Sequence, residues 1–137
     1  MDPQLELARG LLADAELLLA QGRYRSTASR AYYAAYHGCI VLMEGLGLRP
    51  SNYIGRGGWP ASRWEHGIIT ATVAADPRLS GVLTRPVALQ LRWLYLQRIR
   101  ADYRARETIS TLTARTSTML AKQAVGNVEE YLNAQRP

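Results

Sequence analysis

The sequence predicts an all-α protein: an up-and-down bundle of four to five helices in one domain that covers residues 1–137. Three observations support this prediction. Five segments repeat apolar residues at helical spacing, helix caps or Gly and Pro residues separate them, and no segment alternates with the two-residue period of a strand. A chain of 137 residues can bury a core of this kind as a single domain.

The first two predicted helices have clear ends. The first begins at Asp2, an N-cap residue followed by Pro3 at the first helical position, and it ends at Gly22. The second runs from about Tyr24 to about Leu46 and is apolar almost all round. We therefore expect it at the centre of the bundle.

The longest predicted loop covers residues 47–62, where Gly and Pro are frequent. Loops of this length in compact domains are commonly functional or mobile. A third helix is predicted from Ser62 to Ala75, with Ser62 as N-cap and Glu65 completing a capping box, and Pro77 breaks it.

The last two predicted helices run from about Pro86 to about Arg106 and from about Leu112 to Ala134. A cluster of Ser and Thr residues precedes the final helix, and only one glycine interrupts it. Apart from the long loop, all the connections are short, so we expect neighbouring helices to be antiparallel.

The charge balance favours an anionic partner. Lys and Arg number 17 against 11 acidic residues, which gives a net charge of +6, and every cation except Lys122 is an arginine. Arginine binds phosphate through a planar fork and stacks on bases, so RNA or a nucleotide is the expected partner. The alternative is that the arginines reflect the composition of a GC-rich genome.

Several classes of protein are disfavoured. One cysteine rules out a disulfide framework within the chain, and two histidines would need carboxylates to hold a metal, so no metal or cofactor is predicted. No run of 18 apolar residues exists, so no membrane-spanning helix is expected. The acidic N-terminus lacks the pattern of a secretory signal, which favours a cytoplasmic location.

The fourth predicted helix carries two sets of candidate residues. Arg98 lies within an apolar stripe, and Asp102 follows one turn later, so we expect a partly buried pair. Four other arginines share a different arc of the same helix and form a candidate nucleic-acid-binding stripe over which the long loop could close. Tyr103 lies beside them, and the alternative is a solvated face that only confers solubility. These arginines are Arg85, Arg92, Arg100 and Arg104.

The histidines and the cysteine are predicted to be structural. His37 lies in a crowded helix and is expected to be a core residue bonded to a neighbour, whereas His66 is expected to pack or cap. Cys39 is expected to be a buried, small apolar residue. Their spacing supports no Ser-His-Asp or Cys-His arrangement.

Four segments together resemble the HEPN domain family, especially its small stand-alone branch. Residues 25–38 (RSTASRAYYAAYHG) resemble its second-helix signature, which contains S-R-A-Y-Y-A-x-x-H. Residues 65–69 (EHGII) are similar to its third-helix start, and residues 98–103 (RIRADY) to its fourth-helix motif R-x-x-A-D-Y. Residues 121–132 resemble its closing helix, so the likeness covers nearly the whole chain in order.

The resemblance implies a dimeric bundle and a set of related functions. Many HEPN proteins are metal-independent ribonucleases, often toxins paired with a minimal nucleotidyltransferase as antitoxin, and others bind nucleotides or mediate assembly. In catalytic members an Arg is followed, after four to six residues, by a His on the last core helix, and two copies meet across the dimer. The His transfers protons during attack by the RNA 2′-hydroxyl, and the Arg stabilises the phosphorane charge.

This sequence departs from the catalytic motif. Arg98 matches the arginine, but no histidine follows it on the fourth helix, and Tyr103 stands where that histidine could be. The catalytic candidates that the resemblance implies are therefore Arg98, Asp102 and Tyr103. Arg30 and His37 have the separation of the motif but lie on the second helix, so they are further candidates.

Three functions follow from the sequence. The first is a toxin-like HEPN module that dimerises, binds RNA or a nucleotide, and acts with a partner such as a minimal nucleotidyltransferase. The second is an active metal-independent ribonuclease, and the third is a non-catalytic interaction or scaffold subunit. A homodimer is expected because the second and fourth helices carry more apolar surface than one bundle core can cover.

Overall fold

The computed structural model describes residues 2–136, and within them the chain forms six α-helices and no β-strand. The helices are α1 (Pro3–Ala20), α2 (Tyr24–Gly45), α3 (His66–Ala75), α4 (Pro77–Ser80), α5 (Arg85–Tyr103) and α6 (Thr111–Ala134). The predicted all-α class is confirmed. Across the described residues, no helix combines the length and the apolar character needed to cross a bilayer.

The central helix is α2, as its apolar composition predicts. It contacts α1, α3, α5 and α6. Tyr32 and Leu42 are among its fully buried residues, and Cys39 is buried as expected, which raises the pKa of its thiol to about 12. Because neighbouring helices cover α2 within a single chain, the expectation of a dimer rests on the fourth predicted helix alone.

Both ends of α1 follow the signals in the sequence. The Asp2 carboxylate accepts a hydrogen bond from the backbone N–H of Gln4 over 2.7 Å. Gly22 has a φ of 72°, a left-handed conformation that favours glycine, and α2 begins two residues later. An ion pair of 2.6 Å between Arg9 Nε and Glu129 Oε1 joins α1 to α6.

The predicted start of the third helix is wrong. Helix α3 begins at His66 with Glu65 as its N-cap residue, and residues 62–65 are not helical. Glu65 does not complete a capping box with Ser62, because its Oε1 accepts a hydrogen bond from the backbone N–H of Arg56, 3.1 Å away. A contact across the loop has replaced the local cap.

The predicted number of helices is too low by one. Pro77 ends α3 as predicted, but it also opens the short helix α4. Asp76 caps this helix, since its Oδ1 accepts a hydrogen bond of 2.9 Å from the backbone N–H of Arg78. The Asp-Pro pair that breaks one helix therefore begins the next.

Helix α5 ends at Tyr103, three residues before the predicted end at Arg106. The Arg25 guanidinium on α2 donates hydrogen bonds to the backbone carbonyls of Arg100 and Ala101, over 2.9 and 2.7 Å, and to two carbonyls of the connection that follows. The last carbonyls of a helix have no partner within it. Arg25 supplies that partner, and the chain can turn towards α6.

The connection between α2 and α3 contains a hairpin, residues 53–61, that is closed by its own backbone hydrogen bonds. The N–H of Gly55 donates to the carbonyl of Trp59 over 2.8 Å. A Cβ at Gly55 would displace the carboxylate of Glu65 and crowd Ala61, so the hairpin packs closely against the start of α3. The hairpin and the start of α3 therefore form one packed unit.

Candidate functional site

Three tyrosines of α2 form a ring cluster with one residue each from α3 and α5. The ring cluster consists of Tyr32, Tyr33, Tyr36, His66 and Tyr95. The His66 ring stacks on Tyr95, with centroids 5.0 Å apart and planes inclined by 24°. Its centroid also lies 4.8 Å from that of Tyr36. The imidazole is therefore held between aromatic faces from two different helices.

The buried hydroxyl of Tyr32 determines which ring nitrogen of His66 carries the hydrogen. Tyr32 is fully buried, and its hydroxyl lies 2.5 Å from Nδ1 of His66. Burial raises the pKa of Tyr32, so its hydroxyl stays protonated. Within residues 2–136 this hydroxyl has Nδ1 of His66 as its one hydrogen-bond partner, so we assign it as the donor to that nitrogen. The proton of the neutral imidazole is then on Nε2. Burial, followed by the charges of Arg98 and Arg63, lowers the pKa of His66, so the ring is neutral at pH 7.

A pocket of about 600 Å³ opens beside His66, and we call it the His66 pocket. Half-buried rings of Tyr36, Tyr95 and His66 form its floor, while the exposed side chains of Arg56 and Arg63 stand at its rim. The rest of its lining consists of Trp64, Glu65 and Gly67. The pocket thus combines aromatic faces, two cations and a neutral imidazole.

Polar contacts hold the walls of the His66 pocket. The Tyr36 hydroxyl donates a hydrogen bond of 2.9 Å to the backbone carbonyl of Trp64. The indole N–H of Trp64 donates to Oε1 of Glu44 over 3.2 Å. Glu65, as noted above, holds the backbone of Arg56. These contacts join α2, the hairpin and the start of α3, so polar groups of the chain itself hold the walls of the pocket together.

Arg98 and Asp102 pair as their spacing predicts. Nε of Arg98 lies 2.9 Å from Oδ2 of Asp102, and the two side chains are 13% and 30% exposed. The contact is an ion pair without an aligned hydrogen bond, since Nε has no hydrogen-bond partner. The guanidinium carbon also lies 5.1 Å from the Tyr33 centroid and 5.2 Å from the Tyr103 centroid.

The charged form of Arg98 is stabilised by this setting. Burial lowers the pKa of Arg98, but Tyr33, Asp102 and Tyr103 more than offset it, so the net pKa is raised. Asp102 is itself held by the hydroxyl of Ser29, which donates to Oδ2 over 3.2 Å. Arg98, Asp102 and Tyr103 together form what we call the Arg98 group.

The Arg98 group borders the ring cluster through Tyr33. The Tyr33 centroid lies 6.4 Å from that of His66, and the Arg98 guanidinium is in contact with the same tyrosine ring. The charge of Arg98 also reaches His66, whose pKa it helps to lower. The fold therefore brings an arginine of α5 close to a histidine of α3, although no histidine follows Arg98 on its own helix.

The predicted arginine stripe of α5 is not continuous. Arg85 and Arg92 are exposed on the helix. Arg100 is bound internally, with Nε 3.2 Å from Oε2 of Glu107. Arg104 lies at the C-cap, where the backbone has left the helix. Three of the four arginines therefore lie on α5 as predicted, one of them in an ion pair, and Arg104 lies just beyond the helix.

Arg30 and His37 lie on α2, and neither lines the His66 pocket. His37 is half-buried, burial lowers its pKa, and its Nδ1 lies 3.0 Å from the side-chain amide of Gln4. This agrees with the expected histidine bonded to a neighbour. Arg30 is exposed to solvent.

The sequence analysis does not identify most of the residues that line the His66 pocket as candidate site residues. His66 is predicted only to pack or cap, and Arg63, Trp64 and Tyr95 are not among the candidate residues. One signal was available: residues 63–66 (RWEH) place a cation, a ring, an acid and a histidine side by side. These four residues line a pocket only together with the rings of Tyr36 on α2 and Tyr95 on α5.

No protein-family model matches this chain, and no curated protein matches it in sequence. Within residues 2–136, no three His, Cys, Asp or Glu side chains are grouped so that they could hold a metal ion. The geometry of the His66 pocket and of the Arg98 group is therefore the basis for assigning a function.

Proposed function

We propose that the chain is a HEPN-type helical module that binds RNA or a nucleotide in the His66 pocket. The observation that carries this proposal is that two exposed arginines, Arg56 and Arg63, and three half-buried rings surround one cavity. Arginine forks bind phosphate oxygens and aromatic faces stack on bases, so a nucleotide supplies a partner for both. The net charge of +6 adds a long-range attraction for the same anions.

Titration of a dye-labelled single-stranded RNA against salt tests this proposal. The double variant Arg56→Ala/Arg63→Ala is expected to weaken binding and to flatten the dependence of log K on log salt by about 1.4, because each phosphate neutralised on a single strand contributes about 0.7. The matched control is Arg85→Ala/Arg92→Ala, which removes the same charge from α5. If only the control loses affinity, RNA binds the α5 arginines instead of the pocket.

We also propose that two copies of the chain pair through α5. Leu89, Leu96 and Tyr103 are exposed and recur every seven residues, so they share one side of the helix. Exposed large apolar side chains in a row are typical of an interface, and twofold pairing is the commonest arrangement of identical chains.

Light scattering tests the dimer. Wild-type protein is expected at twice the chain mass of 15.3 kDa, and Leu89→Glu/Leu96→Glu is expected at the mass of one chain. Leu112→Glu, at an exposed apolar position of α6, is the control and leaves the mass unchanged. A monomeric wild type would overturn the homodimer and leave this face of α5 to another protein, such as a nucleotidyltransferase.

A second candidate function is metal-independent cleavage of RNA by a toxin-like protein. The observation that favours it is the approach of His66 to Arg98 across Tyr33. In this function Arg98 stabilises the phosphorane charge, and Nε2–H of His66 donates a hydrogen bond to a phosphate oxygen. Water takes the proton of the attacking 2′-hydroxyl, and a proton from solvent reaches the leaving 5′-oxygen. Tyr103 contributes a ring contact to the Arg98 guanidinium in this function.

Incubation of RNA with the protein in the presence of EDTA separates binding from cleavage. Cleavage by wild type that is lost in both Arg98→Ala and His66→Ala supports the ribonuclease. Tight binding without cleavage leaves the chain as a binding module. A protein that neither binds nor cleaves RNA or nucleotides contradicts both functions and leaves the role of a scaffold subunit.

A further inference from the structure

We propose that the His66 pocket recognises a terminal phosphate, a phosphomonoester at the end of an RNA strand or on a mononucleotide, through Nε2–H of His66 and the guanidinium groups of Arg56 and Arg63. This inference rests on the proposed function, since it names the part of the nucleotide that the same pocket holds. It differs from general RNA binding, which any phosphodiester along a strand would satisfy.

The first step of the inference is the donor that His66 offers. Its Nδ1 is taken by the hydroxyl of Tyr32. If that hydroxyl accepted a hydrogen bond from Nδ1–H instead, its own hydrogen would be buried without an acceptor, because within residues 2–136 the Tyr32 hydroxyl makes no other hydrogen bond. Nε2 therefore carries a hydrogen, and a neutral imidazole becomes a directional donor towards an acceptor in the pocket.

The second step is the number of free phosphate oxygens. An internal phosphodiester continues as chain on both sides and has two non-bridging oxygens. A phosphomonoester is the end of its molecule and presents three acceptor oxygens. It therefore has one oxygen for each of the three donors that line the pocket, His66, Arg56 and Arg63.

The third step is charge. A phosphomonoester carries close to two negative charges at pH 7, because its second pKa is near 6. Arg56 and Arg63 supply two positive charges at the rim. Glu65 is the one acid of the lining, and its Oε1 accepts the backbone N–H of Arg56, which ties that carboxylate to the hairpin.

The start of α3 adds to this attraction. The helix begins at His66, no side chain caps it, and Gly67 in its first turn lines the pocket. Uncapped N–H groups at a helix start carry partial positive charge and favour an anion. The start of α3, the two arginines and His66 thus line the same cavity.

Competition binding with three otherwise identical oligoribonucleotides tests the inference. One carries a 5′-phosphate, one a 3′-phosphate, and one has hydroxyls at both ends. We expect one phosphorylated end to bind about tenfold more tightly than the hydroxyl form, as charge-assisted hydrogen bonds add to the affinity. Adenosine monophosphate and adenosine serve as the mononucleotide arm and should show the same preference.

Variants assign the preference to the pocket. Arg63→Ala and His66→Leu are expected to abolish the preference for the phosphorylated end, whereas His66→Gln retains most of it because a Gln amide keeps a neutral N–H donor. Arg115→Ala removes an exposed arginine of α6 outside the pocket and should leave the preference intact. Thermal unfolding of each variant checks that the fold survives, and the Arg63 variant keeps the test valid if His66→Leu does not fold.

The outcomes separate this inference from the proposed function. Equal binding of all three oligonucleotides, still weakened by Arg56→Ala/Arg63→Ala, keeps the RNA-binding pocket and overturns terminal-phosphate recognition. Absence of binding by every nucleotide overturns both. A preference for the phosphorylated end that persists in both Arg63→Ala and His66→Leu places the phosphate elsewhere and also overturns the inference.

Discussion

Helix α2 presents two chemically different sides to the rest of the bundle. One side carries small and aliphatic residues, including Ala35, Gly38 and Leu42, and these residues are buried. The other side carries Tyr32 and Tyr36, whose hydroxyls bond to residues near the start of α3. The small side allows helices to approach closely, whereas the ring side leaves room for polar groups.

The difference shows how one helix serves both stability and the site. On the small side α2 packs against α6, and a Cβ added at Gly38 would meet Val125 of α6 at 3.8 Å, an ordinary van der Waals contact, so this position could also accept an alanine. On the ring side, each buried hydroxyl needs a hydrogen-bond partner. That need places His66 and the backbone of Trp64 at the pocket.

The largest expected effect is on the small side. Leu42→Ala should lower the free energy of unfolding by about 3 kcal/mol, because Leu42 is fully buried and the truncation leaves a cavity. Tyr36→Phe on the ring side loses only one hydrogen bond, for about 1 kcal/mol. Urea unfolding measures the free energy of unfolding of both variants. Equal losses would show that the small side and the ring side of α2 do not differ in their contribution to stability.

Arg25 links the ring side of α2 to the end of α5, and its loss should rank second. Arg25→Ala leaves four backbone carbonyls without their charged donor. We expect a loss of about 2 kcal/mol, since hydrogen bonds to charged groups are stronger than neutral ones but part of the surface rehydrates.

Arg25→Lys is the control for charge alone. A lysine ammonium lacks the planar fork, so it should recover only part of the loss. Full recovery in a thermal unfolding measurement would show that charge near the end of the helix matters more than the geometry of the guanidinium.

Removal of Asp102 should have a smaller effect. Asp102→Ala takes away the partner of a mostly buried guanidinium, but Tyr33 and Tyr103 still cover Arg98. Because Asp102 is 30% exposed, we expect about 1 to 2 kcal/mol, less than for a fully buried pair. Asp102→Asn keeps an acceptor for Ser29 and isolates the charge, and an unchanged melting temperature in Asp102→Ala would show that the pair adds nothing.

The smallest expected effect is a pH dependence on the ring side. Burial lowers the pKa of His66 and of His37, so below about pH 6.5 the unfolded chain binds protons that the folded chain does not. Stability should therefore fall as the pH drops from 6.5 through the lowered pKa of each histidine.

His66→Gln sharpens this prediction, because it removes one of the two titrating rings. The slope of the free energy of unfolding against pH between 6.5 and 5 should be shallower in the variant, and subtraction from wild type cancels the carboxylates. Identical slopes would mean that His66 is as readily protonated in the folded chain as in the unfolded chain.

Local signals predicted well where the physical cause is local. The Asp2 cap, the stop at Gly22 and the Arg98–Asp102 pair each depend on residues within four positions of one another, and all three are present. The predicted cap at Ser62 failed because Glu65 is engaged by Arg56 across the hairpin. A capping rule considers only residues that are close in sequence, so it cannot predict that Glu65 instead accepts a hydrogen bond from the more distant Arg56.

By itself the sequence determined the all-α class, the central place of α2 and the Arg98–Asp102 ion pair on α5. Apolar periodicity and the spacing of one helical turn act within a single helix, so they can be recognised in the sequence. Only the tertiary structure decided where the site lies. Tyr32 and His66 are 34 positions apart, and Arg25 and Arg100 are 75 apart. Contacts at such separations depend on how helices pack, and a histidine that bonds through Nδ1 to a buried hydroxyl acquires its donor from that packing alone.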